Sequence, residues 1–169
     1  MSGAVVAETI GTERLELVPL VVEYAEEMAV VLSDPALHAF IGGSPDTVEN
    51  LRARYRRMIE GSPEAEVSWL NWVIRLRDED CLTGTVQATV TGSEAEIAWV
   101  VGTPWQGRGI AREAARGLVE WLERQPVQTV VAHVHPDHHA SAAVAAAAGL
   151  SATDQVQDGE VRWQRTLRD

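Results

Sequence analysis

The chain has 169 residues, which suits a single domain over residues 1–169 whose core needs no disulfide or metal. Its net charge of −11 disfavours a nucleic-acid partner, because such surfaces carry an excess of Lys and Arg. Its one cysteine, Cys81, excludes an internal disulfide and a thiolate zinc cluster. No apolar run is long enough to span a membrane and no secretory leader is recognisable, so we expect a cytoplasmic protein without a membrane partner.

The first third of the chain shows one strand pattern and two helix patterns. Thr12–Leu20 alternates apolar and polar residues, which predicts a strand. Val21–Leu32 carries apolar residues at helical spacing. A Gly/Pro turn over Ile41–Pro45 then precedes a second helix, for which Asp46 or Thr47 is the predicted cap.

The rest of the chain alternates strands with two further helices. The predicted strands are Ser68–Arg77, Leu82–Val90, Glu94–Val101, Val127–His135 and two short ones around Asp158-Gly159. One predicted helix follows the strand Glu94–Val101 and ends near Arg124. The other spans His138–Ala148 and is followed by Gly149. The order β-α-α-β-β-β-α-β-α-β-β predicts an α+β fold with a mixed central β-sheet of about seven strands and about four helices.

A Gly-rich turn joins the strand Glu94–Val101 to the following helix. It reads Gln106-Gly107-Arg108-Gly109-Ile110-Ala111. The first N–H groups of a helix have no partner within it, and the helix dipole places positive charge there. Gly107 and Gly109 let the backbone approach a ligand, and Arg108 and Arg112 can add charge-assisted contacts. The turn therefore predicts a phosphate or pyrophosphate cradle.

Two segments of the chain resemble the GNAT superfamily of N-acyltransferases. Ala95–Trp121 resembles its acetyl-CoA-binding segment, whose motif is Q/R-x-x-G-x-G/A. His135–Ser141, followed by Gly149, resembles the ending P-x-N-x-x-S…G-F, with His138 at the usual Asn. The predicted element order also matches, so the resemblance covers nearly the whole chain and is nearest to the Rim-type branch. It implies the GNAT fold, acetyl-CoA as co-substrate and an amine acceptor.

The resemblance also implies roles for individual residues. Backbone groups of the strand before the loop would hold the pantetheine arm, at Trp99, Val100 and Val101. The pyrophosphate would contact the loop and helix start, namely Gln106, Gly107, Arg108, Gly109, Ile110, Ala111 and Arg112. His138 and Ser141 would reach the thiol region. Many members place a Tyr acid where this chain has Ala145, so Ser141, His138 or water would protonate the thiolate.

The general base has two candidates, Glu96 and His133. Glu96 lies on the strand before the loop, and an imidazole, with an ordinary pKa of about 6.5, suits a base at neutral pH. The alternatives are a solvated strand Glu and a structural strand His. His133 and His135 could chelate a metal, but only Asp137 lies near them in sequence, so we expect no metal site.

These residues predict an acetyl-CoA-dependent N-acetyltransferase that moves an acetyl group by direct transfer to a primary amine of a small molecule. We expect no acyl-enzyme, because Cys81 is distant in sequence from the loop. A non-catalytic acyl-CoA-binding or sensor module and a protein N-terminal acetyltransferase remain alternatives, and a homodimer is left open. Trp69 and Trp72 lie on opposite faces of one strand, and Trp105 lies beside the loop. One of the three could line an acceptor pocket, but we expect core packing for one of Trp69 and Trp72 and loop anchoring for Trp105.

Overall fold

The computed structural model describes residues 5–38 and 44–167, which form eight β-strands and four α-helices. The strands are β1 (Ile10–Gly11), β2 (Leu15–Pro19), β3 (Val67–Leu76), β4 (Cys81–Thr91), β5 (Glu94–Val101), β6 (Thr129–Val134), β7 (Ser151–Gln157) and β8 (Glu160–Thr166). The helices are α1 (Ala25–Val31), α2 (Val48–Glu60), α3 (Ile110–Glu123) and α4 (His139–Ala147). Part of the predicted turn over Ile41–Pro45 lies outside the described residues.

The strands form one mixed sheet in the order β1-β2-β3-β4-β5-β6-β8-β7. Neighbouring strands are antiparallel except β5 and β6, which are parallel because α3 forms the crossover between them. This confirms the predicted α+β class and mixed sheet. The sheet has one strand more than the expected seven, the two-residue β1, and residues Val22–Tyr24 form a 3₁₀ turn, so that α1 begins only at Ala25.

Helices cover both faces of the sheet, with α3 and α4 on one face and α1 and α2 on the other. Strand β3 supplies both layers: Trp72 and Ile74 pack in the α3 layer, whereas Val73 packs in the α1–α2 layer. Trp72 is fully buried and meets Trp121 of α3 edge-on, with ring centroids 5.4 Å apart. Strand β3 is therefore buried on both faces, between two separate hydrophobic clusters.

The parallel pair β5–β6 separates part of the way along its length. Glu94, Ala95 and Glu96 pair with Thr129, Val130 and Val131, and the described ladder ends there. Strand β5 continues to Val101, so its edge facing β6 has no strand partner beyond Glu96 in the described sheet. The two strands thus open a cleft at their carboxyl ends.

Glycine and cap chemistry position the elements around this cleft. Thr47 is the cap of α2, since its hydroxyl accepts the Asn50 N–H at 3.2 Å. Gly149, with φ of +90°, ends α4: its N–H bonds the Ala146 carbonyl, and the next N–H bonds that of Ala145. A Cβ on Gly84 of β4 would lie 2.1 Å from the Val100 carbonyl oxygen, so only glycine lets β4 approach the end of β5. In the described ranges no helix has the length and apolar character that a membrane span requires.

Candidate active site

The Gly-rich loop has the backbone that its sequence predicts. A 3₁₀ turn over Thr103–Trp105 follows β5, and Gly107 and Gly109 both adopt φ of +77°. A Cβ on Gly107 would meet no protein atom within 4 Å, so it would project into open space. The Gln106 side chain folds back and donates from Nε2 to the Val101 carbonyl at 3.0 Å, which fixes the loop to the end of β5.

The loop leads directly into the N-terminus of α3. The first helical bond runs from the Glu113 N–H to the Gly109 carbonyl, at 3.1 Å. The N–H groups of Ile110, Ala111 and Arg112 are therefore not used inside the helix and are available to an anion. This matches the cradle expected from the sequence.

A group of hydrogen bonds, here called the brace, links the loop and α3 to Thr12 and Arg14, just before β2. The Glu113 carboxylate accepts the Arg14 backbone N–H at 2.8 Å and its Nε–H at 2.6 Å, as well as the Thr12 hydroxyl. Arg14 also donates from a terminal nitrogen to the Arg108 carbonyl at 2.9 Å. Burial acts to raise the pKa of Glu113, but these hydrogen bonds outweigh it and hold that pKa below its ordinary value. The conformation of the loop thus depends on contacts with the start of β2.

The two arginines of the cradle are not equivalent. The Arg108 guanidinium is paired with Glu79, at 2.5 Å, and does not line the cavity beside the loop. Arg112 does line that cavity, and no carboxylate of the described residues pairs with it. Of the two cationic contacts that the sequence predicts for an anion, the structure places only Arg112 at the cavity.

A cavity of about 540 Å³ lies between this loop, the end of β5 and the first turn of α4. We call it the donor cavity. Its walls include every predicted cofactor-binding residue except Arg108, namely Trp99, Val100, Val101, Gln106, Gly107, Gly109, Ile110, Ala111, Arg112, His138 and Ser141. Trp105 also lines the donor cavity, and it packs against the buried clusters on both faces of the sheet, as expected for an anchoring residue.

A second cavity of about 680 Å³ lies on the α1–α2 side of the sheet, and we call it the acceptor cavity. Its walls include residues of α1, α2 and the strands β3, β4, β5, β6 and β8, and among them are the predicted catalytic residues Glu96, His133 and Ser141. The two cavities share four residues, Trp99, Val100, His138 and Ser141. The cavities therefore meet where β5 and β6 separate.

The two candidates for the general base contact each other. His133 Nδ1 lies 3.2 Å from Glu96 Oε2 across the opening of the strands. Because the carboxylate can only accept, the hydrogen-bond pattern assigns the proton to Nδ1 and leaves Nε2 with a lone pair. The Nε2 atom is buried in the wall of the acceptor cavity and has no hydrogen-bond partner in the described structure. An orphaned basic nitrogen facing a cavity is suited to accept a proton from a bound molecule.

His138 and Ser141 form a second pair, at the first turn of α4. Ser141 Oγ lies 3.4 Å from His138 Nε2, and both residues face both cavities. Burial lowers the pKa of His138, and the nearby His135 lowers it further, so His138 is neutral at neutral pH. A neutral imidazole beside a hydroxyl can relay a proton at the junction of the cavities.

Comparison with known proteins identifies the family of this chain. Residues 14–151 match the family model described as the acetyltransferase (GNAT) domain. The chain belongs to the GNAT family. No curated protein sequence matches it.

Solved structures share the GNAT fold at low sequence identity. An acetyltransferase (GNAT family) from Bacillus anthracis is 19% identical, with 95% of this chain and 99% of that chain covered and a TM-score of 0.80. RimL, a ribosomal-protein acetyltransferase solved in complex with coenzyme A, is 18% identical, with 94% and 98% covered and a TM-score of 0.79. A spermidine N-acetyltransferase SpeG chimera from Vibrio cholerae is 14% identical, with 92% and 96% covered and a TM-score of 0.72.

Cys81 is nearer in space to the Gly-rich loop of this GNAT chain than its sequence position suggests, because its thiol interacts with Trp105 and Arg108. Cys81 is the first residue of β4. Like Trp105, it packs against the buried cluster on the α3–α4 face of the sheet. Burial raises the pKa of the thiol, and the carboxylates of Glu79 and Glu27 raise it further, although Arg108 acts in the opposite direction. The thiol lines neither cavity and is held in its protonated, weakly nucleophilic form.

The His-rich segment of this GNAT chain does not gather metal ligands. In residues 5–38 and 44–167, no group of three or more His, Cys, Asp or Glu side chains is arranged to hold a metal ion. His133 bonds Glu96, and His135 Nδ1 accepts the Asp137 N–H at 3.1 Å, which makes a local turn. His133 and His135 are thus hydrogen-bonded to different residues.

Sequence reasoning missed several polar residues of the acceptor cavity, among them Asn71, Gln87, Glu160 and Tyr55 of α2. Tyr55 is 3% exposed, and its spacing from Leu51 is that of an ordinary core position. The signal that distinguishes it, a hydroxyl with no hydrogen-bond partner at a cavity wall, exists only in the folded chain.

Proposed function

We propose that this GNAT protein is an acetyl-CoA-dependent N-acetyltransferase that moves an acetyl group by direct transfer to a primary amine of a small molecule. The observation that carries the proposal is the meeting of the two cavities at Trp99, Val100, His138 and Ser141, with His133 Nε2 in the adjoining wall. The acceptor cavity, about 680 Å³, also lies within the range of small-molecule pockets, roughly 300–1,000 Å³.

The donor cavity fits acetyl-CoA by the chemistry of its walls. The glycine loop and the free N–H groups at the start of α3 suit a pyrophosphate, to which Arg112 adds a positive charge. The edge of β5 beyond Glu96 offers unpaired backbone groups to the amides of a pantetheine arm. Acetyl-CoA, when bound there, supplies an activated thioester whose acyl carbon would lie at the junction of the cavities.

His133 would take the proton that the acceptor amine must lose. The amine nitrogen bonds to the acetyl carbon, the carbon–sulfur bond breaks, and the nitrogen's proton passes to Nε2 while Glu96 stabilises the resulting imidazolium. An acceptor that arrives as an ammonium first gives one proton to solvent. The departing thiolate then takes a proton relayed through Ser141, His138 or water and replaced from the His133 imidazolium, and a free thiol, with a pKa of about 8.5, needs no strong acid. Atoms and charges balance in one displacement, without an acyl-enzyme.

A coupled assay tests the proposal. Purified protein is mixed with acetyl-CoA and a panel of primary amines, while free thiol is measured optically and acetylated amine by mass spectrometry. We expect thiol release that depends on the amine and equals the acetylated product. Acetyl-CoA binding without turnover on any amine would favour a sensor, and turnover only on peptides would favour a protein N-terminal acetyltransferase. A homodimer stays a prediction.

A further inference from the structure

Two buried polar atoms in the described structure lack a hydrogen-bond partner, and both belong to the wall of the acceptor cavity. One is His133 Nε2, and the other is the hydroxyl of Tyr55. A buried polar group without a partner destabilises a folded protein, by about 1–3 kcal/mol for a neutral group. Two such atoms, on two residues that line one cavity, point to a bound molecule as the missing partner of both.

The surroundings of Tyr55 define what can bind its hydroxyl. Leu51 and Met58, on the same face of α2, line the cavity beside it. Burial raises the pKa of Tyr55 to about 12, so the group is a neutral hydroxyl at neutral pH. The nearest acidic group that influences it, Asp46, is already paired with Arg54 at 3.1 Å. Beside Tyr55 the wall thus combines apolar side chains, one neutral hydroxyl and an ion pair whose two charges satisfy each other.

We propose that Tyr55 is a specificity-determining residue whose hydroxyl binds a neutral oxygen, a hydroxyl or a carbonyl, carried by the acceptor amine. The inference rests on the proposed function and extends it to the substrate class. His133 Nε2 engages the reacting nitrogen, and Tyr55 engages the oxygen at the α2 side of the same cavity. Recognition at two points then selects an amino alcohol or amino carbonyl compound over a plain alkylamine.

A second ammonium group fits this place less well than an oxygen. A buried cation needs an anionic partner, and Asp46, the carboxylate that affects the Tyr55 hydroxyl, is already paired with Arg54. Glu96 and Glu160 also line the cavity, but they belong to β5 and β8 rather than to α2, and Glu96 is bonded to His133. A methyl group in the same place would leave the hydroxyl unpaired. Sites that hydrogen-bond a substrate oxygen discriminate strongly against analogues without it, because the buried partner is then unsatisfied.

The experiment compares three amines of equal length that differ in one terminal atom, namely aminopentanol, hexylamine and diaminopentane, together with shorter and longer members of each series. For the wild type, kcat/KM for the amino alcohol of best length should exceed that of its alkylamine and diamine counterparts by about tenfold or more. In Tyr55→Phe this preference should disappear through a higher KM for the amino alcohol, while the KM for acetyl-CoA stays unchanged. Tyr24→Phe, which alters the chain's other tyrosine outside the cavity, should retain the preference.

Thermal unfolding separates recognition from a structural role. Because the Tyr55 hydroxyl has no described partner, Tyr55→Phe should unfold at the same temperature as the wild type or higher. A lower unfolding temperature, or an oxygen preference that survives in Tyr55→Phe, would overturn the inference while leaving the transferase proposal intact. A preference for the diamine would also overturn it. No turnover of any amine by the wild type would remove the proposed function and this inference together.

Discussion

His133 Nδ1 lies 3.2 Å from Glu96 Oε2, and this contact bridges the point where β5 and β6 stop pairing. Glu96 belongs to the last ladder pair, with Val131, and His133 follows two residues later on β6. The same separation of strands that opens the cleft therefore aligns the carboxylate with the imidazole. It leaves Nε2 buried on a residue that lines the acceptor cavity, where the proposed transfer needs a proton acceptor.

Replacement of Gly107 by alanine should weaken acetyl-CoA binding. A Cβ there would occupy open space beside the donor cavity, and we expect the Kd from calorimetry to rise about tenfold or more. Gly159→Ala is the matched control: its φ of +80° is close to the +77° of Gly107, and it too has no atom within 4 Å. Both variants should lose similar stability, about 1 kcal/mol, from the strained backbone. Equal affinity in the two variants would contradict the phosphate-cradle assignment.

Arg112 and Arg108 should differ in how much each contributes to acetyl-CoA binding. Arg112→Gln removes the guanidinium that lines the donor cavity, and we expect a Kd for acetyl-CoA about tenfold higher, with a shallower dependence on salt. Arg108→Gln removes a guanidinium that pairs with Glu79, and we expect little change. The reverse order, with Arg108→Gln the more damaging variant, would restore the sequence-based assignment of Arg108 to the phosphates.

Glu113→Gln should destabilise the protein in a pH-dependent way. The pKa of Glu113 is depressed in the folded chain, so its stabilising contribution is complete above the ordinary value of 4.5 and is lost as the pH falls through the lower, folded-state pKa. At neutral pH the variant should lose about 1 kcal/mol in urea unfolding, since the carboxylate is only partly buried. The difference from the wild type should shrink as the pH falls below 4.5.

Glu120→Gln, on the exposed face of the same helix, is the control for the loss of one charge. It should leave stability and acetyl-CoA affinity unchanged, whereas Glu113→Gln should also weaken acetyl-CoA, because Arg14 then loses its hold on the Arg108 carbonyl. A difference in stability that is independent of pH would show that the carboxylate acts by packing rather than by charge.

Cys81→Ser should retain the steady-state rate, because the thiol lines neither cavity and its pKa is raised by burial. Rapid-mixing experiments should show no burst of CoA release before amine is added, in either protein. A burst in the wild type that Cys81→Ser abolishes would establish an acyl-enzyme and refute direct transfer.

Local patterns were sufficient to predict most of the fold. Alternation marked β3, β4 and β5, and helical spacing marked α3, because each pattern is complete within one segment of the chain. The strand β1 was missed because two residues carry no periodicity. The start of α1 was placed too early because a 3₁₀ turn and an α-helix share nearly the same spacing of apolar residues.

The site was predictable where backbone chemistry defines it and not where distant residues meet. The glycine loop and the start of α3 have particular residues at fixed spacing, so the sequence predicts their backbone, which the structure shows, while phosphate binding there stays a prediction. The pairing of Arg108 with Glu79, the brace from Arg14 to Glu113 and the orphaned hydroxyl of Tyr55 depend on contacts between separate elements. No local pattern reports such contacts, so Tyr55 resembled an ordinary core position.

The most direct test of the account is the pH dependence of kcat/KM for His133→Ala and Glu96→Gln, with His139→Ala, outside both cavities, as control. We predict a loss of at least about 100-fold and of the acidic limb in His133→Ala, typical of a missing general base. Glu96→Gln should lose on the order of tenfold, since its carboxylate is 55% exposed. Acetyl-CoA affinity should be unchanged in both. If neither variant alters the acidic limb, the central claim that His133, supported by Glu96, accepts the amine proton is wrong.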